Sequence, residues 1–218
     1  MSAQSAPIDR TPLDTVIFDI GNVLVYWDPR FLIQKLGIND TEFSKIMNDV
    51  ITLEWHTHHD RGRSMKTGVA LLTAEYPQFH QVIETYRTRW FETILGSISE
   101  TIDILRNLAE RPLQLVALTN FSAETFDEFC DRYPFMKLFH AHIVSGRVGL
   151  IKPDPKIYEL TERQCELSPH RTLFIDDRVD NIRTAQNRGW HGHVFSTSEG
   201  LRAALAKFTV AADGDPLL

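Results

Sequence analysis

A chain of 218 residues and 25.0 kDa is long enough for one elaborated domain, or two small ones, with a substantial core. Its formal charge of -6 gives no support to a nucleic-acid or acidic-membrane partner, and two cysteines, Cys130 and Cys165, do not make a disulfide scaffold. No window reaches the roughly eighteen apolar residues of a membrane helix, and the N-terminal MSAQSAPIDRTP carries no apolar export segment, so a cytoplasmic protein is expected.

Residues 1–12 are small, polar and proline-containing, and read as a loose tail. Val16-Ile17-Phe18 is a short β-rich apolar run that ends at Asp19 and then at the turn formers Gly21 and Asn22. That pattern predicts a buried strand with a carboxylate at its end, and glycine at 21 would let backbone approach a ligand. Val23 to Tyr26 extends the chain after the turn, and Asp28-Pro29 reads as a helix start that stops near Gly37.

From there to about Gly96 no strand is expected. Apolar residues recur at helical spacing in three sets: Phe43 to Ile51, Val69 to Tyr76, and Phe79 to Phe91. They predict an all-helical block over 28–96, placed to cover the Asp19 loop, with Trp90 and Phe91 packing between its helices. After Gly96 strands and helices alternate. Strands are expected at Leu113–Leu118, Ala141–Ser145, Leu173–Ile175 and His193–Phe195. Helices are expected at Ser99–Leu108, Phe121–Arg132, Pro155–Gln164, Arg178–Arg188 and Glu199–Phe208, with a frayed tail over 209–218. Alternation of this kind indicates βαβ units and an α/β fold: a Rossmann-like, mostly parallel sheet built from 13–27 and 97–208, with the helical block inserted.

Four strand ends carry polar residues that suit a single site. They are Asp19, Thr119-Asn120, the loop to Lys152, and Asp176-Asp177. Right-handed crossovers bring the ends of parallel strands to one edge of the sheet. Each group alone is weak, because acidic pairs and lysines are common in surface turns. Four in this arrangement are harder to dismiss.

The motifs FDIGNVL around Asp19, ALTN ending at Asn120, GLIKPDPKIY around Lys152 and FIDDRVDNIRTAQNRG from Phe174 to Gly189 resemble, in order and spacing, the haloacid dehalogenase superfamily of hydrolases. The resemblance covers nearly the whole chain. FDIGNVLVYWDP and EWHTHHDRGRSM are most similar to bacterial sugar-phosphate phosphatases of the α-glucose-1-phosphate type, with a helical cap after the first motif. The resemblance implies a Mg2+-dependent phosphatase acting on a small phosphorylated metabolite, as a monomer or homodimer. Asp19 would be the nucleophile and form an aspartyl-phosphate, kept ionised by the cation and Lys152. Thr119, Asn120 and Lys152 would hold the phosphate. Asp19, the Gly21 carbonyl, Asp176 and Asp177 would hold Mg2+, a cation that takes oxygen ligands. Asp180 suits either a brace for Lys152 or a solvated first-turn position.

One departure matters. The family's usual second aspartate, two residues after the nucleophile, serves as general acid and base, and here that position is Gly21. Proton donation to the leaving group then needs another source. The departure keeps a second reading open, a catalytically weak relative that binds or regulates. A 2-haloacid dehalogenase is disfavoured, because in those enzymes a serine-serine-asparagine type sequence replaces the acidic pair. Substrate choice would fall to the helical block, with Trp27, Glu54, Trp55 and His56 as candidates to face the site. Trp55 suits equally the core of that block or a platform under a sugar. His58 and His59 read as helix-end histidines, and Arg61 and Arg63 as a reach for a second anionic group.

Overall fold

A computed structural model describes residues 11–217. Its centre is a five-stranded parallel sheet. The strands in chain order are β1 (Thr11–Leu13), β2 (Thr15–Phe18), β3 (Val25–Trp27), β4 (Ile94–Ser97), β5 (Gln114–Thr119), β6 (Ala141–Val144), β7 (Thr172–Asp176), β8 (His191–Val194) and β9 (Phe208–Val210). The sheet order is β6-β5-β2-β7-β8. Pairing is in phase, with Phe18 opposite Ala117 on one side and Ile175 on the other.

The continuous apolar runs of the central strands follow from burial on both faces. Val16 and Phe18 join Leu115, Ala117, Leu173 and Ile175 in one cluster. Ile17 turns the other way, with Val116, Leu118 and Phe174. This is the two-residue period of a strand written into two cores. Chain order reverses on either side of β2, so the crevice beyond its carboxyl end is the natural ligand position.

Between β3 and β4 lies the helical block: Arg30–Gln34, Asp40–Lys45 continuing into a π turn over Ile46–Val50, Leu53–Asp60, Met65–Glu75 and His80–Thr88. It has its own apolar cluster, built on Leu32, Ile33, Ile46, Val50, Trp55, Ile83 and Tyr86. No helix among the described residues is long and apolar enough to cross a membrane.

Five expectations change. A strand does precede Gly96: Ile94–Ser97 pairs antiparallel with Val25–Trp27, giving the block a two-stranded stem. The chain after Leu205 is not frayed throughout. Phe208–Val210 pairs in parallel with Thr11–Leu13, and Leu217 is buried. Thr11 and Pro12, expected in the N-terminal tail, belong to strand β1, and residues 1–10 and 218 lie outside the described residues. The last helix is Ser198–Leu205, capped by Thr197 through a hydroxyl that accepts from the Gly200 N–H. Trp90 and Phe91 do not pack only between helices of the block. Trp90 meets Phe121 of the sheet domain edge to face, and Phe91 lies under the Arg132 guanidinium.

Candidate active site

The strand ends converge. Asp19 follows β2, Thr119 closes β5, Asp176 closes β7, and Lys152 enters from the loop beyond β6. Lys152 is the hub. Its ammonium lies 2.8 Å from Asp19 Oδ1 and 2.8 Å from Asp176 Oδ2, and donates to the Leu118 carbonyl at 2.8 Å. Its side chain is 1% exposed, so this is a buried ion triad. The two carboxylates hold its pKa above the ordinary lysine value, although burial pulls the other way.

Asp19 Oδ1 also accepts the Ile20 N–H at 2.7 Å, while Oδ2 has no protein donor among the described residues. Burial is the largest influence on this carboxyl. With Asp176 and Asp177 nearby it outweighs Lys152 and pushes the pKa up to about 7. Lys152 by itself does not hold the Asp19 pKa down, because one lysine shared between two buried carboxylates does not repay their desolvation.

Asp176 is held through both oxygens. Oδ1 accepts from the Arg178 N–H and from Asn181 Nδ2, and Oδ2 accepts from Lys152 and from the same Asn181 amide. Asn181 is the brace that the sequence did not single out. Asp180 instead pairs with Arg178 at the surface. Asp177 is partly buried, and its pKa is raised by burial and by Asp176.

Asn120 holds the lysine loop: its Nδ2 donates to the Lys152 carbonyl at 2.9 Å and its Oδ1 accepts the Lys152 N–H at 2.8 Å. The second N–H of the amide is not used by these two bonds. Gly21 has no positive φ, and a Cβ built there meets no protein atom within 4 Å, so neither turn strain nor crowding by protein requires glycine. The strained position is Asn22, with φ of 55°.

Asp19, Asp176 and Asp177 each offer an oxygen, all within 4.8 Å of one another. The Asn181 Oδ1 beside them is buried without a donor. A hard divalent cation with part of its water shell fits this donor set: it would lower the Asp19 pKa and give the orphaned amide oxygen a donor.

The strand ends open into a cavity of about 620 Å³ walled on one side by the helical block. Trp27 and His56 are among its lining residues. Glu54 is exposed and does not, and Trp55 is packed in the helical core against His56, His59 and Tyr86. Arg61 and Arg63 lie off the cavity, and Arg30 is the arginine of the block that lines it. His59 is not a solvated helix end. It is buried, bonds the Arg63 carbonyl through Nδ1, and fills the space where Gly68 lacks a side chain. Met47, Leu53, Met65, Trp90 and Phe121 line the cavity too. Sequence spacing marked most of these as helix or core residues, and nothing local separated lining from packing.

His56 is bonded to the Tyr86 hydroxyl at 3.0 Å, and burial pushes its pKa down to about 3. Above about 6.5 the imidazole is neutral in folded and unfolded protein alike, and contributes no pH dependence. As pH falls from there toward 3 the unfolded chain takes up a proton that the folded one refuses, so stability is lost. His56 alone should cost about 2 kcal/mol between pH 6.5 and pH 5. Urea titrations of the protein and of His56→Gln should diverge in slope over that range. Parallel pH dependences would show that His56 is not the cause.

Known proteins resemble this chain in sequence and in fold. The profile of the haloacid dehalogenase-like hydrolases matches residues 13–189. The sesquiterpene phosphatase astK of Aspergillus oryzae is 26% identical over 191 residues, covering 84% of this chain and 89% of that protein. In structure the chain is similar to the HAD family enzyme bt-2542 of Bacteroides thetaiotaomicron, solved with magnesium and inorganic phosphate. The TM-score is 0.65 at 19% identity, over 84% of this chain and 94% of that one. It is also similar to the L-2-haloacid dehalogenase of Xanthobacter autotrophicus, with a TM-score of 0.59 at 16% identity over 91% and 84% of the two chains. At such identities the structural likeness concerns the fold.

Proposed function

The chain belongs to the haloacid dehalogenase-like hydrolases, and we propose that it is a Mg2+-dependent phosphomonoesterase working through a phosphorylated Asp19. The observation that carries the reading is the grouping of Asp19, Asp176 and Asp177 around the buried Lys152 ammonium. Three carboxylates with one lysine suit a cation and a dianionic phosphoryl group. A halide leaving group would call for neither.

Asp19, Asp176, Asp177 and the Gly21 carbonyl would hold the ion, which when bound supplies positive charge to the phosphoryl oxygens. The rest falls to the chain. Asp19 Oδ2 attacks phosphorus in line, since Oδ1 is anchored by Ile20 and Lys152. Thr119 directs its hydroxyl to a phosphoryl oxygen. Lys152 balances charge on the nucleophile, and Asn120 positions Lys152. The helical block acts as a cap that closes the cavity and keeps bulk water from the acyl-phosphate.

For the organic half of the substrate a sugar phosphate is the reading from the motifs. A second reading, an ester with an apolar body, is favoured by Trp27, Met47, Leu53, Met65, Trp90 and Phe121 along the cavity, and accords with the sesquiterpene phosphatase relative. The test is hydrolysis of 4-nitrophenyl phosphate, sugar phosphates and prenyl phosphates with Mg2+ and with a chelator. Chelator-sensitive release of phosphate is expected, and preference within the panel decides between the two substrate classes. Phosphate binding without turnover would favour a regulatory relative. Halide release from 2-chloropropionate would move the protein to the other branch of its family.

A further inference from the structure

An alkoxide leaves phosphorus only if it receives a proton, and the strand ends offer no donor for one. Asp19 is the nucleophile, Lys152 is committed to three acceptors, and Asp176 accepts from both sides. Gly21 has no side chain. Among the histidines of the cavity, His56 is neutral and bonded to Tyr86, and His59 is bonded to the Arg63 carbonyl. One acidic group in the cavity is left without an assignment, Asp60.

Resting on the phosphatase reading, we infer that Asp60, at the end of the Leu53–Asp60 helix, is the general acid and base of the reaction, supplied by the helical block across the cavity from Asp19. It lines the same cavity as Asp19, Lys152 and Asn120, is partly buried, and has no ion pair or side-chain hydrogen bond among the described residues. A carboxyl with no protein partner, turned into a site, is free to exchange a proton with a substrate.

Its position is built rather than incidental. The turn after Asp60 has φ of +99° at Gly62, a conformation that favours glycine. A Cβ there would lie 3.1 Å from the Gly146 carbonyl, so the turn presses on the segment that follows β6 and leads to Lys152. Three residues on, the Met65 N–H donates to Glu124 Oε2 at 3.0 Å, tying the next helix to the sheet domain. His59, seated against Gly68, fixes the helix end from behind. The chain just after Asp60 is thereby anchored to the domain that holds the nucleophile, while His59 before it is seated within the helical block.

The local charges suit proton exchange. Burial raises the Asp60 pKa to about 7, and the one opposing influence is Lys152. Of the other ionisable groups around the cavity, Asp28 and Arg30 pair with each other, Arg178 pairs with Asp180, His56 and His59 have lowered pKa values, and Asp19 and Asp177 are carboxyls with raised ones. A carboxyl that titrates near neutral pH can give a proton and take one back.

The protons balance over the two steps. Asp19 Oδ2 forms a bond to phosphorus, the bond from phosphorus to the ester oxygen breaks, and the Asp60 carboxyl gives its proton to that oxygen. Asp60, now a carboxylate, takes a proton from the water that attacks the phosphoaspartate. The bond to Asp19 breaks with its electron pair returning to the carboxylate, and phosphate leaves.

The test compares kcat/KM for benzyl phosphate, whose leaving group is a basic alkoxide, with 4-nitrophenyl phosphate, whose leaving group needs little help. Asp60→Asn should lower kcat/KM by about 100-fold or more on the benzyl ester and by less than about tenfold on the nitrophenyl ester. The descending basic limb of the wild-type profile on the benzyl ester should vanish. A burst of nitrophenol should appear as the phosphoenzyme accumulates, and Asp60→Glu should regain part of the benzyl activity. Equal losses on both esters, or an unchanged benzyl rate, would assign Asp60 a structural role or none. A wild-type protein inert toward both esters with Mg2+ overturns the phosphatase reading and this one together. Wild-type turnover with an indifferent Asp60→Asn overturns this one alone.

Discussion

Asp19→Asn leaves a folded protein whose turnover falls by about 10⁴-fold or more, the scale of removing a nucleophile that forms a covalent intermediate. The amide keeps the shape of the carboxylate but neither its charge nor its nucleophilicity. The fold should not suffer. Lys152 retains Asp176 and the Leu118 carbonyl, and the crowding of three acidic groups that raises the Asp19 pKa is relieved. Without Mg2+ the variant should melt at or above the wild-type temperature, the usual direction when a strained functional group is neutralised. The decisive measurement is acid quench during turnover of a phosphorus-32 ester. A hydroxylamine-labile label should map to the Asp19 peptide in the wild type and be absent from Asp19→Asn. Label on any other residue would end the proposed chemistry.

How much of this was legible in the chain depends on how local each cause is. The central strands were readable because burial on both faces leaves unbroken runs such as LVAL and LFID, and because each run stops at the polar residues that the site uses. Asp19, Thr119, Lys152 and Asp176 could be placed together from topology alone. The stem strand Ile94–Ser97 was missed because its pairing partner, Val25–Trp27, lies almost seventy positions away and its only signal is four residues before a helix start. The closing pair of Thr11–Leu13 with Phe208–Val210 escaped for the same reason.

Roles failed to read where one residue type serves two purposes. Asn120 and Asn181 are both amides at strand or helix ends, and only coordinates distinguish a clamp on the lysine backbone from a brace on Asp176. The cavity wall was the least legible part. Trp55 and His56 are neighbours on one helix, and a turn of about 100° between successive residues sends one into the helical core and the other to the cavity. Apolar spacing reports that a face is buried, without saying whether protein or substrate covers it.

Lys152→Met should be the most destabilising single change in the sheet domain, by about 3–5 kcal/mol, because it strands buried charge. The methionine is close in length and apolar, so packing is nearly conserved and the loss is electrostatic. Asp19 and Asp176 would face each other without the ammonium, and the Leu118 carbonyl would lose its donor. Lys152→Arg is no remedy. A planar guanidinium needs more width than a pocket with 1% exposure allows a compact ammonium. Urea unfolding without Mg2+ measures the loss, and turnover should fall at the same time, since the charge that balances the nucleophile is gone. Adding Asp176→Asn to Lys152→Met separates causes. If the penalty is uncompensated charge, the double variant should lose clearly less than the sum of the two single changes, because the second removes the repulsion that the first created. Strict additivity would mean that Lys152 acts by filling space rather than by holding two carboxylates together.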